Sequence, residues 1–411
     1  MTNYNEINLE NGLKVLTAED ASLPTINILL VSRAGSRYEK DDESGYAHIL
    51  EHMLLKGTEK RPTPMAIAKE IDDRGGYKNA ATNREFLTIN LEIDNIYAEN
   101  AIELLSDMLF NSLFDLATLE NEKKVILEEL RKSDDNPASY FSRFSFEKIF
   151  GAHPLSHNIL GDNKTISEAT KEKLIEYKKN FITPDRSAII IAGNIAHDKA
   201  VELARKYFGK WRESGQALTP ATIEPNPSKK YFIQKTANQT FIAFNFHTGN
   251  SLKESMALEL IQNFLSFGGS SVLQERIRHR EGLVYGISAN NMFFTDTGLF
   301  SINTSASKPA EVIKSVSDII AELPKLFSED KLAEIKTRTI GALNRNIANP
   351  KYKIASLMVG FITRSELFTP EKYISEINGV SYGDISEVIK KYLTPDKMII
   401  TAMGEKDVFE K

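Results

Sequence analysis

The second half of this sequence repeats the first at a spacing of 211 to 213 residues. Leu87-Thr88-Ile89-Asn90 returns as Phe300-Ser301-Ile302-Asn303, and Ser106-Asp107-Met108-Leu109 as Ser317-Asp318-Ile319-Ile320. Asn136-Pro137 returns as Asn349-Pro350, and Thr183-Pro184-Asp185 as Thr394-Pro395-Asp396. Each match is short, but their shared register along both halves argues for a duplicated domain. The 411 residues then divide into two units of ordinary domain size. We expect a first domain over residues 1–215, a linker over 216–230 and a second domain over 231–411. Pro220, Pro225 and Pro227, interleaved with Thr, Glu and Asn, mark the linker.

The first copy mixes strands and helices. A hairpin turns at Asn11-Gly12, and a strand runs from Thr25 to Arg33. An amphipathic helix from Met65 to Arg74 closes at Gly75-Gly76, ahead of an alternating strand from Phe86 to Ile93. Helices follow over Ala98 to Leu109, Leu116 to Lys132 and Lys171 to Lys179, then a buried strand Ala188 to Ala192 and a helix Lys199 to Phe208. Lys397 to Met403 reads as the terminal strand.

Composition narrows the function classes. Apolar residues at 41% and charged residues at 26% describe a globular chain, and a net charge of -5 leaves no basic footprint for nucleic acid. There is no cysteine, so a metal must be held by His and carboxylates, and no thiol nucleophile exists. The opening Met1-Thr2-Asn3-Tyr4-Asn5-Glu6-Ile7-Asn8-Leu9 has neither the basic region nor the apolar core of a signal peptide. No apolar run approaches the ~20 residues that span a bilayer. The expectation is a cytoplasmic protein with no nucleic-acid or membrane partner.

The chemistry concentrates between Gly45 and Gly57, Gly-Tyr-Ala-His-Ile-Leu-Glu-His-Met-Leu-Leu-Lys-Gly. On a helix counted from His48, Glu51 falls at about 300° and His52 at about 40°, while Ile49, Leu50, Met53 and Leu54 fill the other directions. Ionisable groups on an otherwise apolar helix need partners or a metal to offset their desolvation. Two imidazoles four residues apart can ligate one cation, and the Glu just before the second His stands beside it as a base. The plain alternative is a pair of hydrogen-bonded core histidines with Glu51 as their counter-charge. The order His-x-x-Glu-His, the inverse of the commoner His-Glu-x-x-His, favours the metal. On the helix from Leu116, the residues Leu119, Ile126 and Leu130 form the core stripe, flanked by Glu122 and Glu129, with Glu128 on the opposite face. These two acids are either ligands for a nearby metal or a rim of surface charge. His153 and His157 share the four-residue spacing, but flanking Gly and Pro assign them to a loop.

Gly45 to Thr58 resembles the active-site helix of the pitrilysin family of zinc metallopeptidases (M16-type, inverzincins). The likeness is closest to the short branch that holds mitochondrial processing peptidase and its bacterial relatives. It covers essentially the whole chain and implies an α+β fold. Two homologous α/β domains from the internal duplication, each a mainly antiparallel sheet with helices packed on it, then form half of a clamshell. The resemblance further implies one Zn2+ per chain, held by His48, His52 and a Glu that follows the second His after 76 intervening residues, which is Glu129. It makes Glu51 the general base and matches Glu122 to an acid seven residues before the third ligand.

Leu273 to Gly286 looks like the family segment in which an Arg, and a Tyr seven positions later, reach the active site from another domain. Arg278 and Tyr285 have that spacing, with Arg276 and Arg280 as the other candidate cations. Asn79 and Ala80 match the family's peptide-binding edge strand, whereas Ala81, Leu87 and Ile89 stand where an aromatic residue, Thr and Tyr are usual. In the second copy His48, Glu51 and His52 correspond to Glu259, Gln262 and Asn263, and Thr337 to Ala342 offers no acid, so that copy lacks the metal ligands. The implied activity is a zinc-dependent endopeptidase that takes unfolded peptides in extended form into a closed chamber, acting as a homodimer with its site completed in trans. The alternative is a noncatalytic or heterodimer partner subunit of a processing-peptidase-like complex.

Overall fold

The computed structural model describes residues 2–212 and 229–410, so the expected linker lies outside the described residues except for its last two positions. Six strands, β1 (Asn3–Asn8), β2 (Lys14–Glu19), β3 (Thr25–Ser32), β4 (Tyr77–Thr82), β5 (Leu87–Asp94) and β6 (Ser187–Gly193), form one sheet in the order β1-β2-β6-β3-β5-β4. Only β2 and β6 run parallel. Five more, β7 (Lys230–Gln234), β8 (Thr240–Thr248), β9 (Ile287–Phe293), β10 (Gly298–Ala306) and β11 (Ile399–Gly404), form a second sheet in the order β7-β11-β8-β10-β9. Here only β7 and β11 are parallel. The second sheet therefore repeats β2-β6-β3-β5-β4 in order and direction, so the repeat in the sequence is also a repeat in topology. The chain is α+β with two sheets.

Alternation along the strands gives each sheet two faces to cover. In the first sheet Ile26, Ile28 and Leu30 join Leu87, Ile89 and Leu91 in a core completed by the helices Tyr46–Leu54, Ala98–Phe110 and Lys171–Phe181. The opposite face, with Leu29, Val31, Ile190 and Ala192, packs against Ile354, Leu357 and Phe361 of the helix Pro350–Arg364. In the second sheet the corresponding place is taken by the helix Pro137–Phe150, whose Phe141 and Phe144 meet Ala243 and Met403. Both helices begin alike: Asn136 and Asn349 accept hydrogen bonds from Ser139 N and Lys351 N, and Pro fills the first turn. Each copy thus gives its Asn-Pro helix to the other sheet.

The compact units are discontinuous for this reason. One is Met1–Ser133, His157–Thr219 and Ile347–Thr369; the other is Asp134–Ser156, Pro220–Asn346 and Pro370–Lys411. A contiguous division near residue 215 does not coincide with them. Among the described residues no helix is long and apolar enough to cross a membrane.

Candidate metal centre

The helix Tyr46–Leu54 starts at Gly45, which has φ 90°; a Cβ there would lie 2.8 Å from Gly161 Cα. No capping side chain fits at that position. Glu39, six residues upstream, caps instead: its carboxylate accepts from Gly45 N at 2.9 Å and Ala47 N at 2.8 Å. Burial pushes the Glu39 carboxyl up to about 8, opposed by these backbone donors. Tyr46, Ala47, Ile49, Leu50, Met53 and Leu54 are buried, which fixes how the helix is rotated. His48, Glu51 and His52 remain on one side.

The two imidazole rings stand 4.7 Å apart, at 73° to each other. Across from them the helix Leu116–Asp135 buries Leu119, Ile126 and Leu130, and so turns Glu129 inward. Glu129 Oε2 lies 3.7 Å from His48 Nε2 and 3.8 Å from His52 Nε2. The three ligand atoms all fall within 4.8 Å of one another. Glu128 is exposed and pairs with Arg131 at 2.7 Å.

Glu122, seven residues before Glu129, is buried two turns away on the same face of the helix. One of its oxygens is 2.9 Å from His52 Nδ1 and the other 2.8 Å from Lys56 Nζ. With Nδ1 engaged in this way, His52 presents Nε2 toward Glu129. Burial alone raises the Glu122 pKa, but the bonds from Lys56 and His52 outweigh it and hold the carboxyl below its ordinary value. His48 is drawn down to about 4, first by burial and then by the neighbouring His52. It is neutral at pH 7, as a metal-binding imidazole must be. Its Nδ1 is buried without a hydrogen-bond partner among the described residues. Two converging imidazole nitrogens and one carboxylate oxygen fit zinc.

Glu51 stands beside this cluster, half-buried, and its Oε2 accepts a hydrogen bond from Thr82 Oγ1 at 2.7 Å. Burial raises the Glu51 pKa, with the Thr82 bond opposing it, so the carboxylate is a stronger base than an exposed one. Thr82 ends β4, which lies at the edge of the first sheet and, among the described residues, pairs only with β5. Asn79 and Ala80 lie in the same strand, Asn79 exposed and Ala80 half-buried.

The second unit holds the remaining candidates. Arg278 is exposed on the π-helical turn Gln274–Arg280, its guanidinium 5.4 Å from the ring centre of Tyr285, which is 86% exposed. Arg276 pairs with Glu322 at 2.8 Å and Arg280 with Glu275 at 2.6 Å, which distinguishes Arg278 from both. Asn263 donates to Thr339 Oγ1 at 2.8 Å, a neutral link between two helices where the first copy sets His52 against Glu129. Glu259 is bonded by the Tyr373 hydroxyl, and burial raises its pKa. His153 and His157 flank the turn Pro154–Ser156 in different units, and His157 Nδ1 lies 3.1 Å from Ser36 O.

The structure therefore brings His48, His52, Glu129, Glu122 and Glu51 together with the end of β4, and pairs Arg278 with Tyr285. Sequence reasoning missed Lys56, Thr82 and Glu39. Thr82 carries the one readable signal, since it shares a strand face with Ala80.

The family model described as Insulinase (Peptidase family M16) matches residues 14–163, and that described as Peptidase M16 inactive domain matches residues 168–339. An uncharacterized zinc protease of Rickettsia felis is 29% identical over 394 residues, covering 95% of either chain. An uncharacterized zinc protease of Mycobacterium leprae is 30% identical over 322 residues, 77% of this chain and 72% of the relative. The crystal structure of a protease from Helicobacter pylori shares the fold with a TM-score of 0.90 at 19% identity, covering 98% of this chain and 100% of that one.

Proposed function

Because the chain belongs to peptidase family M16, we propose that it is a zinc metalloendopeptidase with His48, His52 and Glu129 as ligands and Glu51 as general base. The observation that carries this reading is the convergence of three ligand atoms within 4.8 Å beside a half-buried carboxylate. When bound there, zinc supplies the Lewis acidity that lowers the pKa of water to about 7 and polarises a carbonyl. Glu51 takes the proton of the attacking water and returns it to the leaving amine. Glu122 holds His52 by Nδ1 and so fixes the direction of Nε2.

The free edge of β4 supports an extended peptide as substrate, since main-chain hydrogen bonds to such an edge are indifferent to side chains. Asn79 and Ala80 then bind the peptide backbone. In the same reading Arg278 and Tyr285 stabilise the oxyanion at the zinc site of a second copy, so the active form is a homodimer.

The test is hydrolysis of a quenched fluorescent peptide mixture by wild type, Glu51→Gln and chelator-treated protein, with zinc quantified in each. Glu51→Gln is expected to keep its zinc and lose at least about a hundredfold in kcat. Zinc bound to the wild type with no activity in any sample defeats the catalytic reading and favours a noncatalytic or partner subunit.

A further inference from the structure

Glu51 has three rotatable bonds before its carboxylate, and a base that swings costs orientation at each turnover. Among the described residues its carboxylate has one side-chain hydrogen bond, the one from Thr82 Oγ1 to Oε2 at 2.7 Å. We propose that Thr82 is a positioning residue that locks the Glu51 carboxylate toward the metal centre and ties the base to the strand that aligns the substrate. This inference rests on the reading of Glu51 as the base.

Three features support it. Thr82 is held from both directions in its strand: its register opposite Leu87 ends β4, and Thr88 Oγ1 bonds the carbonyl of the preceding Ala81 at 3.2 Å. Its side chain is β-branched and so restricted at χ1, which makes the hydroxyl a fixed donor. A hydroxyl has a single proton to give, and it goes to Oε2. The strand that presents Asn79 and Ala80 therefore also sets the base, and a peptide paired along β4 meets a carboxylate already aimed.

The experiment compares wild type with Thr82→Val, Thr82→Ala and Thr82→Ser, each zinc-loaded, in steady-state peptide hydrolysis. Zinc affinity is measured, and a crystal structure determined, for each. Thr82→Val and Thr82→Ala are expected to lower kcat by about tenfold or more with KM and zinc affinity unchanged. Thr82→Ser is expected to stay within about threefold of wild type, and Glu51 to occupy one rotamer only where the hydroxyl remains. Full kcat in Thr82→Val or Thr82→Ala, a loss confined to KM or zinc affinity, or an unmoved Glu51 rotamer overturns the proposal. An inactive, zinc-bound wild type removes the reading of Glu51 as base, while the rotamer comparison still decides whether Thr82 positions it. Thr82→Ala serves where Thr82→Val does not fold.

Discussion

At His52 a carboxylate held between the imidazole and a lysine ammonium determines what the ring can do. Glu122 reaches His52 Nδ1 at 2.9 Å and Lys56 Nζ at 2.8 Å, and is itself buried. An ionised acid in that position is unfavourable without both partners, and with them it directs Nε2 toward Glu129. Glu122→Gln keeps the shape and removes the charge. Zinc affinity is expected to fall about ten- to a hundredfold, measured by competition with a chromophoric chelator. An unchanged affinity would mean that packing alone orients His52.

At the scale of elements, the helix Pro350–Arg364 is held by polar anchors. Lys353 is 4% exposed and reaches Asp20 Oδ2 at 2.5 Å and Thr2 Oγ1 at 2.8 Å, while Arg33 Nη2 donates to Phe361 O at 2.5 Å. Asp20→Asn leaves that ammonium without its counter-charge and is expected to cost about 2–3 kcal/mol in denaturant unfolding. The Lys353 bond holds the Asp20 carboxyl below its ordinary value of 3.8. A depressed folded pKa means that the unfolded chain binds more protons in acid, so this stability is present above about pH 4 and is lost as the pH falls further. The difference between wild type and Asp20→Asn should therefore shrink on acidification. A constant difference down to about pH 2 would separate the cost from the charge.

For the whole molecule, duplication supplied two copies of one architecture, and only one kept the ligands. The second copy closes its helix pair with Asn263 and Thr339, and exposes Arg278 and Tyr285. The proposed homodimer makes these two residues serve the partner's zinc. Mixing Glu51→Gln with Tyr285→Phe protein, after dissociation and reassociation, is then expected to recover about a quarter of wild-type activity, because half of the dimers are mixed and each carries one intact site. No recovery from two zinc-bound, dimeric variants refutes completion in trans.

The spacing of His48, Glu51, His52 and Glu129 is legible in the sequence because a helix converts linear separation into direction. The apolar residues between them fix which direction is inward. Glu128 and Glu129 are told apart on the same ground, one exposed and one facing the histidines. The repeat is legible too, since matching segments recur in one register along both halves. Glu39 and Lys56 are not legible, since each acts from a loop or a helix end where no periodicity assigns a direction. Thr82 has a legible strand face, but its partner, like theirs, is set by which backbone arrives beside it. The exchange of the Asn-Pro helices is hidden for a related reason: the sequence marks where each begins, at Asn136 and Asn349. Both copies offer similar apolar strand faces, so local pattern cannot say which sheet a helix covers, and only side-chain packing in the folded chain decides it.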